Sequence, residues 1–227
     1  MRQGMKQQGV FVTGTDTDVG KTWVGQMIIR QLCAANVNVI PRKPVESGWQ
    51  TDVMKSDAWL LGSAASVTGK TEALDRICPN RFQAAISPVR AATLEGKVLL
   101  TKQLKQQCID GIDQNDFLYV EGAGGFFSPL ASDGLNADLA KQLGLPVLLV
   151  ADDKLGCINH ILLSLAAIEG YGLSIKGVIL NTRKEVDVET QMNNFDDLQS
   201  LIGTPVFQVA YQQESISEEL LRKLIND

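Results

Sequence analysis

Six short runs of the chain are dominated by apolar residues: 10–13, 37–40, 117–120, 146–151, 175–180 and 205–209. They are rich in Val, Ile, Leu and Phe on both alternating faces, the pattern of parallel strands covered by helices on either side. Between them lie helix-length amphipathic stretches at 22–35, 56–67, 98–112, 136–143, 157–169 and 188–202. Strand and helix alternate, which predicts an α/β fold with a mainly parallel sheet and helices on both faces. Asn36, Gly144, Gly170 and Gly172 stand where the first, fourth and fifth helices should stop. The stretch 50–90 is the least periodic. No Pro- or Ser-rich linker, internal repeat or low-complexity tract divides the chain, so one domain over 1–227 is expected, with an excursion after the second strand.

Composition narrows the function classes. Of 227 residues, 44% are apolar and 21% charged, the mix of an ordinary globular protein with a substantial core. A net charge of -5 argues against nucleic acid as the main partner, so any phosphate binding has to be local. No apolar run approaches the ~20 residues that cross a bilayer. The opening Met1-Arg2-Gln3-Gly4-Met5-Lys6-Gln7-Gln8 lacks the apolar core of a signal peptide. A cytoplasmic protein without a membrane partner is expected. Cys33, Cys78, Cys108 and Cys157 are far apart and form no C-x-x-C pair, which suggests reduced, mostly buried thiols.

The strongest chemical signal is Gly14-Thr15-Asp16-Thr17-Asp18-Val19-Gly20-Lys21-Thr22, between an apolar strand and a helix. Glycines let the backbone N–H groups curl onto phosphate oxygens, and the helix N-terminus adds about half a positive charge. Lys21 would neutralise the β- and γ-phosphates and the Thr22 hydroxyl would hold Mg2+, as in a P-loop NTPase fold. Five residues separate the first Gly from Gly20, against four in the common pattern. A second tripeptide, Gly69-Lys70-Thr71, has no strand before it and reads as an ordinary loop.

Two further segments belong at the same sheet edge. The strand 117–120 ends in Glu121-Gly122-Ala123-Gly124-Gly125, an acid that can complete an octahedral oxygen site next to backbone suited to close approach. Lys43-Pro44-Val45-Glu46-Ser47-Gly48 follows the second strand, where Lys43 can stabilise charge on a transferred phosphoryl group. Taken alone, Lys43 reads as a surface charge and Asp57 as a helix cap.

Together with Lys154-Leu155-Gly156-Cys157-Ile158-Asn159-His160, these blocks resemble the dethiobiotin synthetase family, whose loop shows the same five-residue spacing. The resemblance runs in order from Val10 to Asn181. It implies a ligase that joins CO2 to 7,8-diaminopelargonic acid and closes a cyclic urea, with ATP cleaved to ADP and phosphate through a carbamate and a mixed anhydride. It also implies roles. Lys43, Lys21 and Thr17 would be catalytic, and Thr22, Asp57 and Glu121 would ligate Mg2+. ATP would be contacted by Asp18, Val19, Gly20, Lys21, Thr22, Trp23, Asp57, Glu121, Gly122, Ala123, Gly124, Asn181 and Thr182, with Asn181 hydrogen-bonding the base. Substrate would be met by Thr17, Ser47 and Gly124. Its far carboxylate would be met by Leu155, Gly156, Cys157, Ile158 and Asn159 across a homodimer interface. His160 reads as a capped or core histidine. The chain departs from the family pattern at Ser87-Pro88-Val89-Arg90 and at Gln208-Val209-Ala210-Tyr211.

A related partitioning or metal-insertion ATPase would often carry an additional lysine early in the loop, where Thr15 and Asp16 stand. A GTPase switch would want Asn-Lys-x-Asp, which Asn181-Thr182-Arg183-Lys184 does not provide.

Overall fold

The computed structural model describes residues 7–49, 51–67, 71–185 and 192–226. In chain order the elements are β1 (Gly9–Gly14), α1 (Lys21–Ala34), β2 (Val39–Arg42), β3 (Val45–Ser47), α2 (Asp57–Ala64), α3 (Thr71–Ile77), β4 (Asn80–Phe82), α4 (Pro88–Leu94), α5 (Thr101–Ile109) and β5 (Phe117–Gly125). There follow β6 (Pro129–Ala131), β7 (Gly134–Leu135), α6 (Asn136–Leu143), β8 (Val147–Asp152), α7 (Cys157–Gly170), β9 (Ile175–Asn181), α8 (Asn194–Leu201), β10 (Val206–Val209) and α9 (Glu218–Asn226).

The six runs read from the sequence form one sheet in the order β10-β9-β8-β1-β5-β2, with every pairing parallel. Alternation along each strand divides two cores. Phe11, Leu118, Val120, Val147, Leu149, Val178 and Leu180 pack toward the α4 to α8 side. Val10, Val12, Phe117, Tyr119, Leu148, Val150 and Ile179 pack toward α1, α2 and α9. Both faces are covered over most of the sheet, only Gln208 of the edge strand β10 being exposed among the residues of these six strands, which is why the central strands show no polar alternation.

Register brings the chemistry to one edge. Gly14 pairs with Gly125 and with Val150, so the β1–α1 loop and the ends of β5 and β8 are level. Arg42 pairs with Val120, which places the next residues, Lys43 and Glu121, side by side. The excursion after β2 contains the two-stranded sheet β3–β4, a 3-10 turn at Val53–Lys55, and the short helices α2 and α3.

Boundaries differ from the sequence expectation where tertiary contacts decide them. β5 runs past Val120 to Gly125 because β1 keeps pairing with it. The helix expected at 56–67 spans Asp57–Ala64, and the one at 98–112 spans Thr101–Ile109. The helix expected at 188–202 is Asn194–Leu201, with 188–191 outside the described residues. Of the tripeptide expected to be a loop, Gly69 and Lys70 lie outside them, whereas Thr71 opens α3. Met1 to Lys6 also lie outside. Cys78, Cys108 and Cys157 are buried and Cys33 is half-buried, all as free thiols. No helix among the described residues is long and apolar enough to cross a membrane.

Candidate active site

The loop after β1 turns through Asp18 and Gly20, both at positive φ (53° and 91°). Gly20 is required twice over: its backbone is left-handed, and a Cβ there would overlap the Asn181 amide. Lys21 opens α1 and is buried against its own loop, its Nζ donating to the Asp16 carbonyl at 2.9 Å. Burial, and then the charge of Lys43, lower its pKa to about 8. An ammonium so placed gains a great deal from an anionic phosphate.

Lys43 is the centre of the cluster. It is only 4% exposed, and its Nζ lies 2.8 Å from Asp57 Oδ2, 2.6 Å from Glu121 Oε1 and 3.3 Å from the Gly122 carbonyl. Against the cost of its burial, Asp57 and Glu121 hold the ammonium well above its ordinary value. Against its own burial, Asp57 is held below the usual carboxylate range by Lys43. The reading of Lys43 as a surface charge is therefore overturned. So is the reading of Asp57 as a cap: Ser56 caps α2, its Oγ accepting from Trp59 N at 3.1 Å, while Asp57 faces inward.

Oxygen atoms from three elements converge beside this lysine. Thr22 Oγ1 lies 2.7 Å from Asp57 Oδ1 and 2.9 Å from Glu121 Oε1. A hydroxyl has one proton to give, so it can donate to only one of them at a time. Glu121 is fully buried and its Oε2 has no hydrogen-bond partner. This excess of acceptor oxygens fits a hard divalent cation. Among the described residues no group of three or more His, Cys, Asp or Glu can hold a metal unaided. Phosphate oxygens and the Thr22 hydroxyl would complete such a site.

Thr17, Asp18, Gly20, Lys21, Thr22, Lys43, Glu46, Ser47, Asp57, Glu121, Ala123 and Gly124 line one cavity of about 330 Å³. A second cavity, also about 330 Å³, is lined by Gly20, Trp23, Asn181, Thr182, Arg183, Tyr211 and Gln212. Gly20 and Arg183 line both cavities. Asn181 donates its Nδ2 to the Val19 carbonyl at 2.9 Å, tying β9 to the loop. Val19 itself turns into the core. The Gly122 carbonyl accepts from Lys43 Nζ at 3.3 Å.

Leu155, Gly156, Ile158 and Asn159 are not part of either cavity. Leu155 is 91% exposed, Cys157 is buried, and Gly156 makes the left-handed entry to α7 at φ 87°. His160, expected to be capped or in the core, is exposed on α7.

Two contributors were not singled out from the sequence. Asn136, fully buried, exchanges hydrogen bonds with Ala123 N (3.1 Å) and O (2.7 Å) and also donates toward the Gly125 and Ser128 carbonyls, shaping the turn after Glu121. Glu46 accepts from the N–H groups of Asp57 and Ala58 at 2.9 and 3.0 Å. Burial and then the Asp57 charge push its carboxyl up to about 7. An acid three residues after the motif lysine, on the short strand β3, was the available signal.

Residues 8–219 match the model of an AAA-domain family. The chain is 40% identical over 187 residues to an ATP-dependent dethiobiotin synthetase BioD of Anaeromyxobacter dehalogenans, covering 82% of each chain. It is 34% identical over 215 residues to the enzyme of that name from Bacillus cereus, covering 94% of this chain and 88% of the relative. A ParA family ATPase from Chlorobium tepidum superposes with a TM-score of 0.53 at 15% identity, over 97% of this chain and 90% of that one, which is a likeness of fold.

Proposed function

This chain belongs to the ATP-dependent dethiobiotin synthetase family, and from that premise we propose how its own residues carry the reaction. The enzyme is a ligase that joins CO2 to 7,8-diaminopelargonic acid and closes the ring to dethiobiotin, with ATP converted to ADP and phosphate. One amine adds to CO2 as a carbamate. A carbamate oxygen takes the γ-phosphoryl group, and the second amine then displaces phosphate as the urea ring closes. Phosphorylation is the necessary step, because an unmodified carbamate oxygen is a poor leaving group.

The observation that carries the residue assignment is the convergence of Lys21, Thr22, Lys43, Asp57 and Glu121 on one cavity at the carboxyl edge of the sheet. Lys21 exchanges its loop carbonyl for the β- and γ-phosphates. Thr22, Asp57 and Glu121 would hold Mg2+, which would supply neutralisation of phosphate charge. Lys43, seated beside the Asp57 and Glu121 carboxylates, presents its ammonium to the carbamate and the transferring phosphoryl group, where electrostatic stabilisation counts most in a dry site. Thr17, Ser47 and Gly124 line the same cavity and receive the diamine end of the substrate. Trp23, Asn181 and Thr182 receive the base.

The far carboxylate of the substrate is met by Leu155, Gly156, Cys157, Ile158 and Asn159 of a second copy, at the N-terminus of helix α7, where the Cys157 N–H already donates to the Lys154 carbonyl at 3.0 Å and the N–H groups that follow it face the ligand. The exposed apolar side chains Leu155, Leu163 and Phe127 favour such a homodimer. The cytoplasm supplies the ATP and the reducing conditions that four free thiols suit.

The assay is mass spectrometry of the purified protein with magnesium, ATP, 13C-bicarbonate and the diamine. The expected product is the cyclic urea carrying one 13C, with one ADP per ring. ATP cleavage unaccompanied by urea would instead assign the chain to a nucleotide switch.

A further inference from the structure

α2 is only eight residues long, yet two separate side chains hold its first turn. Ser56, directly before the helix, takes the Trp59 N–H. Glu46 reaches in from β3 and takes the two preceding N–H groups with one oxygen each, Asp57 N on Oε1 at 2.9 Å and Ala58 N on Oε2 at 3.0 Å. Stability alone does not call for this arrangement. Ser56 already supplies an ordinary cap, and Glu46 is a buried carboxylate beside the carboxylate of Asp57, a costly neighbour. What the fork of two oxygens provides is direction. It grips the backbone on both sides of the Asp57 Cα and so fixes the direction of the Cα–Cβ bond, from which the carboxylate reaches Thr22 (2.7 Å) and Lys43 (2.8 Å). Glu46 lies three residues after Lys43 on the same short segment, with Pro44 stiffening the step between them. One segment therefore sets both the cation that Asp57 pairs with and the angle from which Asp57 meets it.

We propose that Glu46 is a positioning residue, fixing the start of α2 so that Asp57 is aimed at the divalent cation of the bound nucleotide. The inference rests on the reading of Asp57 as a ligand of that cation.

The experiment measures Mn2+ binding by electron paramagnetic resonance in the presence of a non-hydrolysable ATP analogue, together with the Mg2+ concentration giving half-maximal product formation. It compares the full-length parent with Glu46→Gln, Glu46→Asp, Asp57→Asn and Ser56→Ala. Glu46→Gln is isosteric but keeps one acceptor oxygen, so it should weaken Mn2+ binding about ten-fold, the scale seen when the partner of a metal ligand is lost. Its turnover should recover at saturating Mg2+, and Glu46→Asp should lie between it and the parent. Ser56→Ala, which loses the cap and the hydroxyl's hydrogen bond to the Val53 carbonyl but leaves the Glu46 fork in place, should lower the unfolding midpoint and leave Mn2+ affinity alone. If Asp57→Asn weakens Mn2+ binding and Glu46→Gln does not, positioning by Glu46 is refuted while Asp57 stands. If Asp57→Asn itself binds Mn2+ as the parent does, Asp57 is not a ligand and the inference falls with it.

Discussion

Replacing Lys43 by Ala removes a cation that is almost wholly buried and lies within 2.8 Å of one carboxylate and 2.6 Å of another. Deleting one member of a buried ion pair leaves an uncompensated charge and costs about 3–5 kcal/mol. Glu121 has no access to water, whereas Asp57 is partly exposed and can rehydrate, so the lower end, about 3 kcal/mol, is the appropriate figure. For a chain of this size that corresponds to a fall of about 6–12 °C in the unfolding midpoint. Magnesium should restore part of the loss, because the two carboxylates then take the dication in place of the ammonium. At about ten times its dissociation constant it returns about 1.4 kcal/mol. The assay is thermal unfolding of parent and Lys43→Ala with and without Mg2+, alongside product formation and binding of Mg–ATP. Product formation should disappear while nucleotide binding persists. A variant that melts within about 2 °C of the parent without metal would refute the reasoning. So would one that loses ATP affinity, which would put Lys43 on the nucleotide and not on the carbamate.

Three other outcomes follow. Gly25 lies inside α1, and a Cβ there would overlap the Tyr119 hydroxyl and sit 2.9 Å from a Leu61 methyl. Gly25→Ala should therefore destabilise by about 1–3 kcal/mol despite its better helix propensity. Urea titration should show less than additive loss when Tyr119→Phe is combined with it, and additive losses would contradict the clash. Burial pushes the Cys108 thiol up to about 12 and raises that of Cys78 further. At neutral pH neither should react with a disulfide reagent until the protein unfolds, and prompt labelling of either in the native protein would be inconsistent with this packing. Leu163→Asp places a charge on an exposed apolar position of α7. In sedimentation velocity the parent should run as a dimer and the variant as a monomer; a monomeric parent would remove the interface from the account.

The sheet was legible because most of its strand positions are buried on both faces, so each strand shows as a run dominated by apolar residues. Their order was not, since runs such as 10–13 and 117–120 carry no mark of which neighbour they pair with. The loop between β1 and α1 was legible because its residues are contiguous and its glycines mark the turn. Asp57 could not be read without a resemblance. An Asp at a helix start looks the same whether it caps that helix or, as here, reaches a hydroxyl 35 positions earlier in the chain and the Lys43 ammonium in the link between β2 and β3. Glu46 was hidden for a similar reason, its partners being backbone groups that no composition reveals. The helix α9 went unrecognised although Leu220 and Leu224 are spaced for one face and are buried against the α1 side. The short elements α3, β4 and α4 lie in the aperiodic stretch 50–90, where contacts with the rest of the fold decide the structure.

The central claim is that ATP is spent on a carbamate oxygen, and transfer of 18O from labelled CO2 into phosphate tests it most directly. The protein is mixed with C18O2, ATP, Mg2+ and the diamine in ordinary water, quenched before CO2 exchanges with solvent, and the phosphate weighed by mass spectrometry. Phosphorylation of the carbamate predicts one 18O in each phosphate released with a ring. Unlabelled phosphate formed at the same rate as dethiobiotin would contradict it.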